Sequence, residues 1–222
     1  MLPVVPMFMI AIAISIAAAM AVQASTVSHF SYSRLMLLLL LLLLLLLLLL
    51  KIMMPRITYW LNFHRLQAYE KETTTVHNKY RSDLKADIAA LKWSGSLAIG
   101  AQQWADYLGS TNKFEHSGES NTGENIWMGS QIETPTSMVQ LWGAEEVYFK
   151  YGIFPDVSTT GNWMDVGHYT QIIWRNTTEV GCGSASGTDG MHRFVCRYSP
   201  PGNYVGLPVY WNLSCFSTSP NL

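Results

Sequence analysis

GHYTQIIW (167–174), VGCG (180–183) and FVCRYSPPGNY (194–204) decide the fold. Residues 167–174 read as a short helix. Residues 179–186 and 191–199 alternate well enough for two antiparallel strands, joined by a turn carrying Gly187 and Gly190. Cys182 and Cys196 fall one in each strand-like run, so the pattern predicts a Cys182–Cys196 disulfide, with two buried free thiols as the alternative. Pro200-Pro201-Gly202-Asn203 is a turn that ends the second strand.

Upstream, Tyr69, Val76, Tyr80 and Leu84 recur at near-helical spacing from Gln67 onward. Residues 91–93 are a short extended piece, and Ser94 is placed to cap a helix through Leu97, Ala101, Trp104, Ala105 and Leu108. Residues 109–135 read as loop. Thr136 or Ser137 then caps a third helix through Val139, Trp142 and Tyr148 or Phe149, and 152–166 is a long Gly/Pro-containing loop. Helices and strands mix without a repeating βαβ order, which indicates α+β.

Charged residues make up 13% and hydrophobic residues 49% of the 222 residues, but the apolar excess sits in the first 54, leaving a globular balance behind it. A net charge of -1 gives no basic field for nucleic acid. No CxxC pair occurs, which argues against a thiolate zinc site, and Cys215 is left over near the C-terminus. Asn176 and Asn212 head glycosylation sequons, in keeping with a secretory route.

Residues 8–22 are an apolar run followed by small residues, so 1–24 resembles a signal segment, though without a basic leader. Residues 25–69 hold a low-complexity stretch of fourteen leucines, Leu37 to Leu50, and a connector in which Pro55 is a breaker. The leucines read as a signal anchor, a second signal-like segment or a low-complexity expansion. Lys51, Arg56 and Arg65 follow them, which by charge would keep the remainder in the cytosol. The predicted disulfide and sequons point to the lumen, and the reading adopted is secreted, or membrane-anchored with an extracellular or lumenal domain.

Four segments bear on function. They are VHNKYR (76–81), EHS (115–117) with GENI (123–126), LWGAEE (141–146), and the GHYTQIIW to FVCRYSPPGNY run. In this order and spacing, residues 70–211 closely resemble the CAP superfamily (cysteine-rich secretory protein, antigen 5, pathogenesis-related 1; the SCP domain), with 212–222 as a tail. The resemblance implies a three-layer α-β-α sandwich around a small antiparallel sheet. It also implies a cleft that holds His116, Glu124, Glu145 and His168. Glu146 is a neighbouring candidate, but Glu145 lies three residues after Trp142 and shares its helical face. The chain lacks a cysteine-rich C-terminal module, and with it the ion-channel activity of that module. Where relatives carry an aromatic four residues after the Glu, this chain has Phe149, preceded by Tyr148.

Two imidazoles and two carboxylates can hold a divalent metal such as zinc, exchange protons, or tie loops together as a polar network. No HExxH, GxSxG or Cys-His nucleophile pairing accompanies them, so no cofactor is required and enzymatic activity is not expected. His77, Asn78 and Arg81 read as structural, and Tyr169, Thr170, Gln171 and Trp174 as cleft packing. The favoured expectation is a binding protein for a sterol, a fatty acid, membrane lipid or an extracellular protein partner, with Tyr151, Phe154, Pro155 and Trp163 as a groove wall. The alternatives are a metal-dependent hydrolase using the same tetrad and a structural or defence-signalling protein.

Overall fold

The structure, a computed structural model, describes residues 29–84 and 86–211, together with Ser15. Contacts divide the chain into two units, residues 1–64 and 65–222. Helix α1 spans His29–Asp83. In the first unit four consecutive leucines, Leu40, Leu41, Leu42 and Leu43, are exposed. At about 100° per residue they cover the whole circumference, and a helix apolar all round needs an apolar surrounding. One 18-residue window reaches a mean hydropathy of 3.3, so α1 is long and apolar enough to cross a membrane.

The break expected at Pro55 does not occur, because Pro55 lies inside α1. A proline removes one helical N–H and crowds one carbonyl, a local cost of about 3 kcal/mol. Strong helix formers flank it on both sides, and just beyond it the Thr58 hydroxyl donates to the Met54 carbonyl at 2.8 Å. The separate helix expected from Gln67 is therefore the last part of α1.

The sheet has the order β1-β3-β4-β2, with β1 Lys92–Trp93, β2 Gly123–Gly129, β3 Glu179–Ser186 and β4 His192–Ser199. β4 pairs antiparallel with both β3 and β2, but β1 runs parallel to β3, so the sheet is mixed and not antiparallel throughout. Long connections, not a hairpin, join β1 to β3, and that frees β1 to run parallel. β2 lies in the stretch read as loop. Its Gly- and Asn-containing sequence has weak strand propensity, and the ladder with β4 along its whole length supplies what propensity lacks.

Helix α2 is Gly95–Thr111, α3 Pro135–Gly143 and α4 Gly167–Ile172. Strand alternation sorts the layers. From β4, Phe194, Cys196 and Tyr198 enter one core with Val76 of α1, Met138, Val139 and Trp142 of α3, and Tyr169 and Ile172 of α4. Val195 faces the other way, joining Ile126 and α2's Ala101, Ala105 and Leu108. The sheet thus lies between helices on both faces. Cys182 and Cys196, register partners on β3 and β4, form the predicted disulfide.

Helix starts depart from expectation in detail. Ser94 is the N-cap of α2, but its hydroxyl pairs with Ser96 and caps no backbone N–H. α3 is capped by Thr134, not Thr136 or Ser137. Pro135 suits the first helical position because its missing N–H needs no partner there, and Thr134 Oγ1 accepts from the Ser137 N–H at 3.1 Å. α3 ends at Gly143 and tightens into a 3₁₀ turn, Ala144–Tyr148; a second such turn, Trp163–Asp165, lies in the 152–166 loop.

Candidate functional site

The first His–Glu pair joins the segment after α2 to β2. His116 Nδ1 lies 2.9 Å from Glu124 Oε1, and the Ser117 N–H donates to the same oxygen at 2.9 Å. Burial pushes the Glu124 carboxyl up, but hydrogen bonds from His116 and Ser117 outweigh it, and the net shift is below the usual carboxylate value. Glu124 Oε2 is buried without a hydrogen bond. Its neighbour is Arg197, whose Nε is 3.6 Å away and whose Nη1 pairs with Glu119.

The second pair stands at the start of α4. His168 Nδ1 lies 2.6 Å from Glu145 Oε1, while the backbone N–H groups of His168 and Tyr169 donate to Glu145 Oε2, each at 3.0 Å. Trp142 stacks on the His168 ring at 5.7 Å and 11°. The Trp142–Glu145 spacing therefore delivers both a stacking face and an anchor to one imidazole. Glu146 serves other groups: with burial as the larger cause, its charge helps push the Tyr169 phenol well up. Phe149 packs edge-on against Tyr169 at 5.4 Å, while Tyr148 is exposed.

A carboxylate on Nδ1 favours the tautomer that carries its proton there, leaving Nε2 as the acceptor in each ring. The four residues stand as two pairs. Among the described residues no three His, Cys, Asp or Glu side chains gather to hold a metal ion. The set does not fit a zinc ion held by three or four protein ligands.

A polar relay absent from the sequence reading ties the second pair to the core. Asn125, next to Glu124 in β2, donates from Nδ2 to the His168 carbonyl at 3.1 Å and to the Tyr198 hydroxyl at 3.2 Å. Tyr198 lies 2.9 Å from His77 Nε2, and His77 Nδ1 lies 2.8 Å from the Thr73 carbonyl. A carbonyl can only accept, so His77 donates from Nδ1 and Tyr198 donates to Nε2. The signal was Asn125 itself, a polar residue in the buried register of a strand.

Burial holds His77 down to about 4. In the unfolded chain it binds its proton near pH 6.5, about the ordinary histidine value. Above that pH neither state is protonated and the full contribution to stability is present. Between about 6.5 and 4 unfolding takes up a proton, so stability falls as pH drops, by about 3 kcal/mol at most. His77→Gln is expected to flatten the fall between pH 6.5 and 4.5, measured by denaturant unfolding across pH. An unchanged slope would show that another group carries it.

Asn78 makes a two-way bond with the Leu91 backbone, and Arg81 donates only to carbonyls. Thr170 donates to Asn203, and Gln171 accepts from the Gly202 N–H, so the PPGN turn is docked on α4; Trp174 is buried beside it. Of the suggested groove wall, Phe154 is core instead, 3% exposed and packed between Trp163 and Trp174. The loop folds back toward 204–208 and buries the ring. Tyr151, Pro155 and Trp163 are exposed. So is Asn176, while Asn212, Cys215 and, save Ser15, the signal-like segment lie outside the described residues.

The cysteine-rich secretory protein (CAP) family model matches residues 74–198. The PR-1 type pathogenesis-related protein of Sambucus nigra is 35% identical over 135 residues, covering 60% of this chain and 77% of that protein. Pathogenesis-related protein 1A of Nicotiana tabacum is 33% identical over 147 residues, covering 66% and 83%. The solved structure of BmVAL-1 superposes with a TM-score of 0.55 at 27% identity, covering 64% of this chain and 81% of that one. With its paired histidines and glutamates set on the matching fold, the chain belongs to the cysteine-rich secretory protein (CAP) family.

Proposed function

We propose that the chain is an extracellular binding protein that takes a sterol or other lipid beside His168, tethered to a membrane by the leucine-rich part of α1. Membership of a secretory family, and relatives of the pathogenesis-related kind, support an extracellular place, as does the disulfide. One observation carries the ligand class: exposed Trp163 and Met164 stand just before His168, with the Trp163 ring against Gly167. An apolar rim beside a fixed polar pair suits a ligand with an apolar body and one hydroxyl or carboxyl group.

The full chain in detergent micelles, treated with a photoreactive cholesterol analogue, is expected to be labelled on peptides containing Trp163 and Met164. Excess cholesterol should compete, and Trp163→Ser with Met164→Ser should cut labelling severalfold. Labelling confined to the leucine stretch would end the lipid reading. The metal-dependent hydrolase reading would have to hold its metal on the two Nε2 atoms alone, fewer than the three protein ligands a catalytic zinc takes. It expects zinc-dependent turnover of a peptide or ester that disappears in His168→Ala.

A further inference from the structure

We propose that Arg175 heads a second binding site, made of none of the paired histidines and glutamates, that takes a flat apolar monocarboxylate. A cavity of about 530 Å³ is lined by Arg175, Asn176, Thr178, Pro200, Pro201, Tyr204 and Leu207. That size is within the range of small-molecule sites. Two proline rings, a phenol ring and a leucine make its walls largely apolar, and no acidic residue lines it.

Arg175 is held ready. Its backbone N–H donates to the Val209 carbonyl at 3.0 Å, its Nε donates to Asn176 Oδ1 at 3.1 Å, and its guanidinium carbon sits 4.6 Å from the centre of the Trp211 ring. Nη1 is buried and has no hydrogen-bond partner. A buried cationic donor left unmet is costly, and such groups are almost always paired in a folded protein. A carboxylate in the cavity supplies the opposing charge, and a turn of the guanidinium that brings Nη1 to the cavity surface gives that donor its acceptor. Proline rings, a tyrosine ring and a leucine favour a flat apolar body behind the carboxylate, and a multiply charged anion would find a single cation, Arg175, in the lining. The site stands whether or not a lipid binds beside His168.

The test is calorimetry on the full chain in detergent micelles, produced in bacteria so that Asn176 stays an unglycosylated amide, with empty micelles as the blank. The ligands are 2-naphthoate and its uncharged isostere 2-naphthamide. The naphthoate should bind at least about tenfold more tightly than the amide, a gap of about 1.4 kcal/mol. Arg175→Met should bring the naphthoate down to the amide's level and leave the amide unchanged. Leu207→Trp, which fills the cavity and spares the guanidinium, should weaken both ligands, and it decides the matter if Arg175→Met does not fold. Equal affinity for the two ligands in the wild type, no binding of either at millimolar concentration, or naphthoate binding unaltered by the variants would overturn the proposal.

Discussion

Arg81→Met is expected to destabilise the folded domain by about 4–6 kcal/mol, enough to remove most of the stability of an ordinary domain. The guanidinium donates to four carbonyls, those of Ala89 at 2.8 Å, Ile172 and Trp174 at 2.9 Å, and Thr177 at 3.0 Å. Burial lowers Arg81 to about 10, so it remains a cation at neutral pH. Methionine fills a similar volume and answers none of those oxygens. Each carbonyl left buried and unmet costs on the order of 1–3 kcal/mol, partly offset because no cation then needs to be desolvated. The loss also unclamps the last turn of α1 from the segment after α4. Arg81→Lys should restore less than half, since an ammonium has three donors and no planar fork. Denaturant unfolding and the yield of folded protein measure both variants. A loss below about 1 kcal/mol for Arg81→Met would show that the carbonyls find other partners.

Gly183→Val is expected to cost about 3 kcal/mol or more, through overpacking and not through lost contacts. Gly181 and Gly183 point from β3 toward α2, whose backbone lies directly on them. A Cβ at Gly181 would collide with the Ala98 nitrogen and Ser94 oxygen, and one at Gly183 with the Gln102 nitrogen and Cα. Backbone cannot step aside as a flexible side chain can, so α2 would have to lift from the sheet. Lifting it breaks the two bonds between Gln102 and Ser184, 2.9 and 3.1 Å long. It also opens the core of Ala101, Ala105 and Leu108. Gly95→Ala is the control, since a Cβ there meets nothing within 4 Å. The control should be neutral or gain up to about 1 kcal/mol. Equal thermal midpoints for the two variants would contradict direct helix-on-strand packing.

These two cases show what was legible in the sequence. The hairpin, its disulfide and the short helix before it follow from local alternation, and from cysteines placed one on each strand. The His116–Glu124 and Glu145–His168 pairings depend on contacts between distant segments, which the motif order marks but local pattern does not. β2 was missed because its stability comes from the ladder with β4 and not from its own residues. Pro55 misled because a proline's local cost is small beside the summed preference of a long helical run. Gly181 and Gly183 fall inside the strand read at 179–186, and nothing local marks their spacing as the footprint of a helix on that strand. Arg175 was silent because a single arginine in a sequence reveals neither its walls nor its missing partner.

Glu124 and Glu145 each grip main-chain amides as well as an imidazole. The bearing of both rings is thus set in part by the path of the backbone, with the Trp142 face added to it at His168. Substitutions elsewhere around the pairs that leave the main chain in place are therefore expected to leave both imidazoles where they stand.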